Sequence, residues 1–567
     1  MHYVALATDY DGTVAHDGLV DEPTIAALEK ARAGARRVIL VTGRELPDLR
    51  RVMPRLDLFD AVVAENGALL YTPATKQEQV LAPSPDPAFV ARLRELGVDP
   101  LSVGSSIVAT WEPNETKVLR AIHELGLELT ITFNKGAVMV LPAGVNKASG
   151  LRAALEHLHL SPLNCVAVGD AENDMAFLDI AGLAIAVANA VPALRERAAW
   201  VTNNARGAGV AELIERVLQT DLADLDARNL RQRVALARMG EGEALTFQPQ
   251  RDSLFLAGGS GGGKSTLTGG LTERLVEGGF QFCLIDPEGD YEGLGNAVAA
   301  GTASQPPVIE HVTKALREPA TNVVVSLLGI PLADRPSFFG VLLPELLASR
   351  ARHGRPHFII VDEAHHVLPA DWDPGAAALP EGLEGFLFIT TRPDAVSPRL
   401  LRCVNQLMVV GAGARQTLEG FCAALGRAGH DAPDDLPTGE VLVLDLAAGT
   451  LRHGTVIPGE AKLLRHQRKY AEGRLGDDKS FWFHGSDGKL NLRAQNVTMF
   501  IQMAEGVDEE TWQWHRERGD YSRWFALSIK DHDLAAKIAE IESGAAQVSE
   551  ARQLLREAIE ERYTLPG

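Results

Sequence analysis

Two apolar strands that each run straight into a phosphate-type loop constrain this chain more than any other feature. Residues 3–7 lead into Asp9-Tyr10-Asp11-Gly12-Thr13, and residues 253–257 lead into Gly258-Gly259-Ser260-Gly261-Gly262-Gly263-Lys264-Ser265. Such loops work at the carboxyl end of a buried strand, where backbone N–H groups and short polar side chains converge on a ligand. The first supplies two carboxylates that can attack and protonate a phosphate ester; the second supplies a glycine cradle for a nucleoside triphosphate. Each opens a separate α/β domain, and 567 residues leave room for three or four domains at roughly 150 residues apiece.

Over residues 1–220, short apolar runs alternate with amphipathic segments, the pattern of a parallel sheet with crossover helices. After the first strand, Asp21 and Pro23 open a helix over 24–33, Asp21 as its cap and Pro23 in its first turn. Strands are expected at 38–41, ending in Thr42-Gly43-Arg44, and at 61–64, 165–168 and 183–187. The polar residues gather at strand ends: Asp9 and Asp11, Thr42, and Gly169-Asp170-Ala171-Glu172-Asn173-Asp174, with Asn146-Lys147 opening the helix before the last of these.

Those four elements, in that order, resemble the four motifs of the haloacid dehalogenase (HAD) superfamily, a Rossmann-like parallel sheet. The resemblance implies that Asp9 is a nucleophile forming an aspartyl-phosphate, while Asp11 protonates the leaving oxygen and then activates water. Thr42 would bind the phosphoryl group and Lys147 would neutralise charge. Asp9, Asp170 and Asp174, with the backbone carbonyl of Asp11, would hold Mg²⁺. The physics runs the same way: an anionic nucleophile approaches an anionic phosphate only when a metal and a lysine screen the repulsion, and an all-oxygen site suits Mg²⁺.

About a hundred residues separate Thr42 from Lys147, more than a crossover needs, so an inserted α/β cap is expected over about 68–145. Glu65-Asn66-Gly67-Ala68 before it and residues 133–142 closing it resemble the Cof-type (IIB) subgroup, which contains sugar-phosphate and phosphoglycolate phosphatases. Gly43, Arg44, Asn134, Lys135 and Asn173, with Asn146, are candidate substrate contacts. Asn134-Lys135 reads equally as a hairpin turn before the strand over 137–141. The short cap favours a small phosphorylated acid or sugar as partner.

A helical linker is expected over 221–243 and a second α/β domain over 244–460. Its glycine loop stands in strand–loop–helix context, a P-loop in which Gly258, Gly259, Ser260, Gly261, Gly262, Gly263 and Thr266 surround the phosphates of ATP. Lys264 reaches the β/γ oxygens and Ser265 ligates Mg²⁺. The apolar run 358–361 ends in Asp362-Glu363, where Asp362 can bind the Mg²⁺ water shell and Glu363 can polarise the attacking water. Together with residues 284–291 and Ile389-Thr390-Thr391-Arg392-Pro393, this region resembles the HerA/FtsK-type pumping ATPases, its HerA branch in particular. Thr391 stands where that branch commonly has glutamine. Arg392 is a candidate for contact with nucleotide or a neighbouring subunit, or for pairing with Asp394. The resemblance also leaves room for a homo-oligomer through this domain.

A basic linker (Lys462, Arg465, Arg468, Lys469, Arg474) over 461–475 precedes a tail, 476–567, that holds four of the seven tryptophans. Aromatic enrichment can build a compact, mostly helical accessory domain from few residues. A hairpin is expected near 481–488, and helices over 492–503, 509–518, 521–528 and 535–562. His515, Arg516, Arg518 and Arg523 among the aromatics fit an anion or single-strand site, although a bundle with aromatics inside and arginines outside is the plainer reading. A net charge of -20 disfavours nucleic acid as a partner. The four cysteines show no metal or disulfide spacing. The absence of a long apolar run and of a charged leader points to the cytoplasm and away from membranes. The sequence thus reads as a phosphatase joined to an ATPase, with an ATP-driven nucleic-acid motor or a nucleotide-regulated switch as the alternatives.

Overall fold

The computed structural model describes residues 1–134, 136–226, 229–240, 242–259, 262–291, 293–370, 383–459, 475, 479–486, 488, 490–529 and 531–563. Its strands, in chain order, begin with β1 (Ala5–Asp9), β2 (Arg37–Val41), β3 (Ala61–Ala64), β4 (Leu69–Thr72) and β5 (Gln77–Val80). Then come β6 (Ser102–Val103), β7 (Val108–Trp111), β8 (Leu129–Asn134), β9 (Ala137–Pro142), β10 (Cys165–Gly169), β11 (Leu183–Ala186) and β12 (Trp200–Val201).

The first sheet has the order β12-β11-β10-β1-β2-β3-β4-β5, parallel from β12 to β3 and antiparallel beyond. Its central strands are buried on both faces, as near-continuous apolar runs require. In β2, Val38 and Leu40 enter one core while Ile39 and Val41 enter the other. The helix Glu22–Ala33 is capped by Asp21, whose carboxylate accepts from Thr24 N at 2.9 Å. A second sheet, β6-β7-β9-β8, is backed by the helices Pro87–Glu95 and Glu115–Leu125 around Phe89, Leu93 and Val118. This sheet lies within the span 68–145 expected as a cap, whereas β4 and β5, also within that span, extend the first sheet instead. Sequence cannot distinguish a hairpin on a core edge from one in an insertion, because both alternate in the same way.

The remaining strands of the large α/β region are β13 (Val234–Met239), β14 (Glu243–Phe247), β15 (Ser253–Gly258), β16 (Phe282–Asp286), β17 (Ala297–Ala300) and β18 (Asn322–Ser326). They continue with β19 (Phe358–Val361), β20 (Phe386–Thr390), β21 (Gln406–Val410), β22 (Glu440–Asp445) and β23 (Thr450–Val456). All eleven form one sheet, β14-β13-β23-β22-β21-β15-β20-β19-β16-β18-β17, parallel from β21 to β17. The helix expected across 221–243 is therefore corrected. Helix stops at Asp226, and Val234–Met239 is a strand paired on both sides, by β14 and β23. Its short apolar run is compatible with either period, and sheet partners more than two hundred residues away decided it.

The two sheets meet at the amino ends of their strands. Asn164, immediately before β10, receives a hydrogen bond on Oδ1 from His357 Nε2 at 2.9 Å, immediately before β19. The assignment of that proton follows from the other ring nitrogen, since His357 Nδ1 accepts from Gln281 N at 2.7 Å. Asn164 Nδ2 also donates to His2 O at 2.8 Å. Arg355, fully buried, donates to the carbonyls of His159, Leu316 and Arg317. Both candidate sites lie at the opposite, carboxyl ends of these strands.

The chain divides into two compact units, Met1–Pro287 with Asn296–Pro458, and Glu288–Gly295 with Gly459–Gly567. Within the second, β24 (Phe481–Phe483) pairs antiparallel with β25 (Leu492–Ala494), followed by helices Val497–Gly506, Glu509–Glu517, Asp520–Trp524, His532–Ser543 and Val548–Tyr563. Trp512, Trp524, Tyr521 and Phe500 are the centre of its core. Two expected helices are corrected. Residues 492–494 are strand, with the helix beginning after Asn496, whose side chain caps Met499 N at 2.7 Å. The segment 535–562 is two helices broken at Gly544. The basic residues Lys462, Arg465, Arg468, Lys469 and Arg474 lie outside the described residues. Among the described residues no helix is long and apolar enough to cross a membrane. The cysteines are unbridged, and three of the four are buried.

Candidate functional site

At the carboxyl ends of β1 and β10 the structure gathers three carboxylates around one ammonium. Lys147 Nζ lies 2.6 Å from Asp9 Oδ1 and 2.6 Å from Asp174 Oδ1. Lys147 is 1% exposed, Asp9 4% and Asp174 0%, so these ion pairs are desolvated and strongly coupled. Lys147 is aimed here by the start of its helix. Asn146 caps that helix, its Oδ1 accepting from Ala148 N and Ser149 N while Ser149 Oγ accepts from Asn146 N. Asn146, a candidate substrate contact, thus has its side-chain oxygen engaged in the cap. The turn beneath requires glycine: Gly67 has φ 110°, and a Cβ there would stand 1.9 Å from Asn146 O.

Asp174 is itself held by the backbone, its Oδ2 accepting from Asp170 N at 2.8 Å and Ala171 N at 2.9 Å. Asp170 is oriented by Thr13 Oγ1, 3.3 Å from its Oδ1, and by Asn189 Nδ2, 3.3 Å from its Oδ2. Asn189 also donates to Gly12 O at 2.9 Å, tying the loop after β11 to the loop after β1. It was missed from sequence, although a lone polar residue shortly after an apolar strand is the same signal that marks Asp9 and Asp170.

Asp9, Asp170 and Asp174 each offer an oxygen within 4.8 Å of the others. Burial and the charge of Asp174 push the Asp9 carboxyl up to about 7, against the opposing pull of Lys147. Burial works against the Lys147 ammonium, yet Asp174 and Asp9 together hold it above the ordinary lysine value. Among the described residues, Lys147 pairs with two of the three clustered carboxylates, Asp9 and Asp174. All the cluster's donors are hard oxygens, so the residues present fit a divalent cation such as Mg²⁺.

Asp11 is not one of the three clustered carboxylates. Its carboxylate is gripped by Arg44, Nε to Oδ2 and Nη2 to Oδ1, both at 2.7 Å, and Arg44 Nη1 also reaches Asp48 Oδ2 at 2.6 Å. Arg44, expected at the substrate, is spent on two carboxylates. Thr42 is buried at the end of β2, its Oγ1 accepting from Arg44 N at 3.1 Å. Cap residues close over these positions: a Cβ on Gly43 would lie 3.3 Å from Met139 Sδ of β9, and β8, which ends at Asn134, packs near Glu172–Asp174. Asn173 Nδ2 approaches Asn66 Oδ1 at 3.5 Å. Lys135 lies outside the described residues. Glu65, also missed from sequence, is buried at the cap's root. Its carboxylate accepts from the backbone N–H groups of Ser105, Ser106 and Ile107 at 2.9, 2.8 and 3.3 Å.

In the second sheet, β15 leads into the glycine loop, of which Ser260 and Gly261 lie outside the described residues. Gly263 has φ 95° and precedes the helix Lys264–Glu277, with Ser265 and Thr266 in its first turn. Lys264, 5% exposed, donates from Nζ to Gly258 O at 2.9 Å and Gly259 O at 3.1 Å. Strand β20 lies between β15 and β19, which places Thr391 beside the acids at the end of β19. Glu363 Oε2 accepts from Thr391 N and Oγ1, both at 3.3 Å, and Asp362 Oδ1 accepts from Glu363 N at 3.0 Å. Glu363 has φ 39°, strained backbone for a non-glycine residue at a strand end. Arg392 is exposed, its N–H donating to Thr390 Oγ1 at 2.9 Å.

Comparison with known proteins covers the first of these sites. The family model described as haloacid dehalogenase-like hydrolase matches residues 6–95 and 108–214. A phosphoglycolate phosphatase from Methanothermobacter thermautotrophicus is 32% identical over 223 residues, 38% of this chain and 98% of that protein. A phosphoglycolate phosphatase from Methanosarcina acetivorans is 30% identical over 220 residues, 38% of this chain and 96% of its own length. Phosphoglycolate phosphatase 2 from Saccharolobus solfataricus is 30% identical over 224 residues, 38% of this chain and 92% of its own length. With nearly whole relatives aligned across the segment that carries the carboxylate–lysine cluster, the chain belongs, through its N-terminal portion, to the haloacid dehalogenase-like hydrolases.

Proposed function

We propose that the N-terminal portion is a Mg²⁺-dependent phosphomonoesterase working through a phosphoaspartate on Asp9. The observation that carries this reading is the position of Lys147 Nζ, 2.6 Å from both Asp9 and Asp174. Asp9 attacks the phosphorus, and Asp11, protonated once it turns from its Arg44 pair toward the substrate, gives its proton to the departing alkoxide oxygen. Asp11 then takes a proton from the water that attacks the phosphoaspartate, releasing phosphate and regenerating the Asp9 carboxylate. Thr42 binds the phosphoryl oxygens, and Lys147 offsets the charge that accumulates between nucleophile and phosphate. Asp9, Asp170 and Asp174, with the Asp11 carbonyl, hold Mg²⁺, which when bound supplies charge neutralisation at the phosphoryl group. The substrate class is a small phosphorylated acid, phosphoglycolate or a sugar phosphate. The names of the aligned relatives and a cap of only four strands support it.

The second α/β region hydrolyses ATP in this reading. Supporting it are the strand–loop–helix setting of Lys264 and Ser265 and the buried Asp362-Glu363 pair two strands away, with Glu363 touching Thr391. Lys264 engages the β/γ phosphates, and Glu363 polarises the water.

The test is phosphate release from a panel of small esters and, separately, from ATP, with and without Mg²⁺. Wild type releases phosphate from an ester, Asp9→Asn does not, and Asp9→Asn still cleaves ATP; Lys264→Ala reverses the pattern. Release from no ester at all overturns the phosphatase reading. ATP cleavage that requires DNA moves the second region to an ATP-driven nucleic-acid motor.

A further inference from the structure

The C-terminal unit keeps some of its aromatic residues out of its core. Trp512 and Trp524 are 1% and 6% exposed, whereas Trp482 and Trp514 remain only half-buried on the wall of a cavity of about 310 Å³. The rings of Trp482 and His484, two residues apart on one face of an extended segment, lie within 3° of parallel with centroids 6.1 Å apart. The Arg493 guanidinium lies 5.9 Å from the Trp482 ring centroid. Trp514 stands on the same cavity, with the Arg518 guanidinium 4.6 Å from its ring centroid.

The charges on the rim are equally fixed. Arg523 Nη1 donates to Asp520 Oδ1 at 3.2 Å, and Arg518 Nε is 3.7 Å from Asp520 Oδ2. Asp520 Oδ2 also accepts from His515 Nδ1 at 2.9 Å, while His515 Nε2 accepts from the His484 N–H at 3.2 Å. That pair of bonds puts the single ring proton on Nδ1 and leaves His515 neutral. Two guanidinium groups therefore share the Asp520 carboxylate, and the Glu542 carboxylate stands next to it on the N–H groups of Tyr521 and Ser522. Arg516 is different: it is buried and donates to the carbonyls of Ile541, Glu542, Gly544 and Ala546, which makes it a strut of the fold and removes it from the expected anion site.

We propose that this cavity is a binding site for a nucleoside monophosphate, its base stacking against Trp514 in the groove that Trp482 and His484 also line, its phosphate held by Arg518 and Arg523. Stacking on exposed aromatics with arginines at the rim is the chemistry that recognises a base and a phosphate together. The volume, about 310 Å³, is at the lower end of the range of about 300–1,000 Å³ for small-ligand sites. The lining residues belong to neither phosphate loop, and such binding makes the C-terminal unit a nucleotide sensor.

The deciding experiment is equilibrium dialysis of labelled adenosine monophosphate against the full chain carrying Asp9→Asn and Lys264→Ala, in EDTA, so that the other two phosphate sites contribute neither turnover nor a metal-dependent signal. Saturable binding is expected. It should weaken about tenfold or more when Arg518→Glu and Arg523→Glu are added, and by a similar factor with Trp514→Ala. Adenosine and ribose 5-phosphate should each bind about tenfold more weakly than the intact nucleotide. The arginine pair is exposed, so a matching urea midpoint shows that this variant is folded even where Trp514→Ala is not. No saturable binding at millimolar nucleotide, or an affinity indifferent to the arginine pair, overturns the proposal. Binding of oligothymidylate through the same arginines without binding of the mononucleotide overturns it in favour of a single-strand site.

Discussion

The Arg44 guanidinium holds both carboxylate oxygens of Asp11, Nε to Oδ2 and Nη2 to Oδ1, each at 2.7 Å. A planar fork fixes a carboxylate in orientation as well as place, which a lysine ammonium cannot do. Arg44→Lys keeps the charge and loses the fork. Its kcat on a phosphate ester is expected to fall about ten- to a hundredfold, the scale of a misplaced catalytic group, with an unchanged urea midpoint. The split between kcat and KM checks the assignment, because kcat falls with KM little changed if Arg44 positions Asp11, whereas KM rises if Arg44 only contacts substrate.

Lys147→Met leaves Asp9 and Asp174 buried with no counter-charge. Removing one partner from a buried ion pair costs about 3–5 kcal/mol, so the metal-free variant should unfold at a clearly lower urea concentration. Mg²⁺ should restore part of the loss, since a divalent cation supplies charge to the same carboxylates. Equal midpoints for variant and wild type without metal would refute the account of the cluster.

The pH dependence has a definite sign. Asp9 is raised from 3.8 to about 7 in the fold, chiefly by burial and then by Asp174. Between those values the folded chain binds the extra proton. Asp9 therefore stabilises the metal-free protein fully below about pH 4, and this contribution is lost as pH rises through about 7. The stability of Asp9→Asn relative to wild type should grow by up to about 1.4 kcal/mol per pH unit across that window and level off above it. Paired urea titrations from pH 5 to 8 in EDTA measure the slope; a flat difference rejects it.

Glu65 fastens the cap's root to the core by accepting three backbone N–H groups, from Ser105, Ser106 and Ile107. Glu65→Ala leaves buried donors without an acceptor, at about 1–3 kcal/mol for each one left unsatisfied. A lower urea midpoint and faster hydrogen exchange at residues 105–107 are expected, with the helix Lys147–His157 still protected. Unchanged exchange at those amides would show that Glu65 does not anchor the cap.

The two sheets are stitched by Asn164 and His357, and Gly354 makes this seam possible: its φ is 70°, and a Cβ would stand 2.4 Å from Asn164 Nδ2. Gly354→Ala should lower the unfolding free energy read from urea titration by about 1 kcal/mol or more, since it adds both strain and a clash. The same substitution should leave Mg²⁺ affinity at Asp9, Asp170 and Asp174 unchanged, because those residues lie at the other ends of the strands.

What the sequence determined by itself was local. An apolar run followed at once by acids, glycines or Thr-Gly-Arg places polar side chains at a strand's carboxyl end, whatever lies beside that strand. The positions of Asp9, Thr42, Asp170 and Asp362-Glu363 at or just past strand ends were legible in this way, and those of Lys147 and Lys264 at helix starts and of the Asp21 cap from the residues beside them. Tertiary structure alone decided the rest. It set β4 and β5 on the core sheet, made Val234–Met239 a strand, turned Arg44 onto Asp11, and brought Asn189 and Glu65 to their partners. Each of these depends on a sheet neighbour or hydrogen-bond partner distant along the chain. Spacing in sequence sets which face of an element a side chain occupies; only the packed fold sets what stands opposite it.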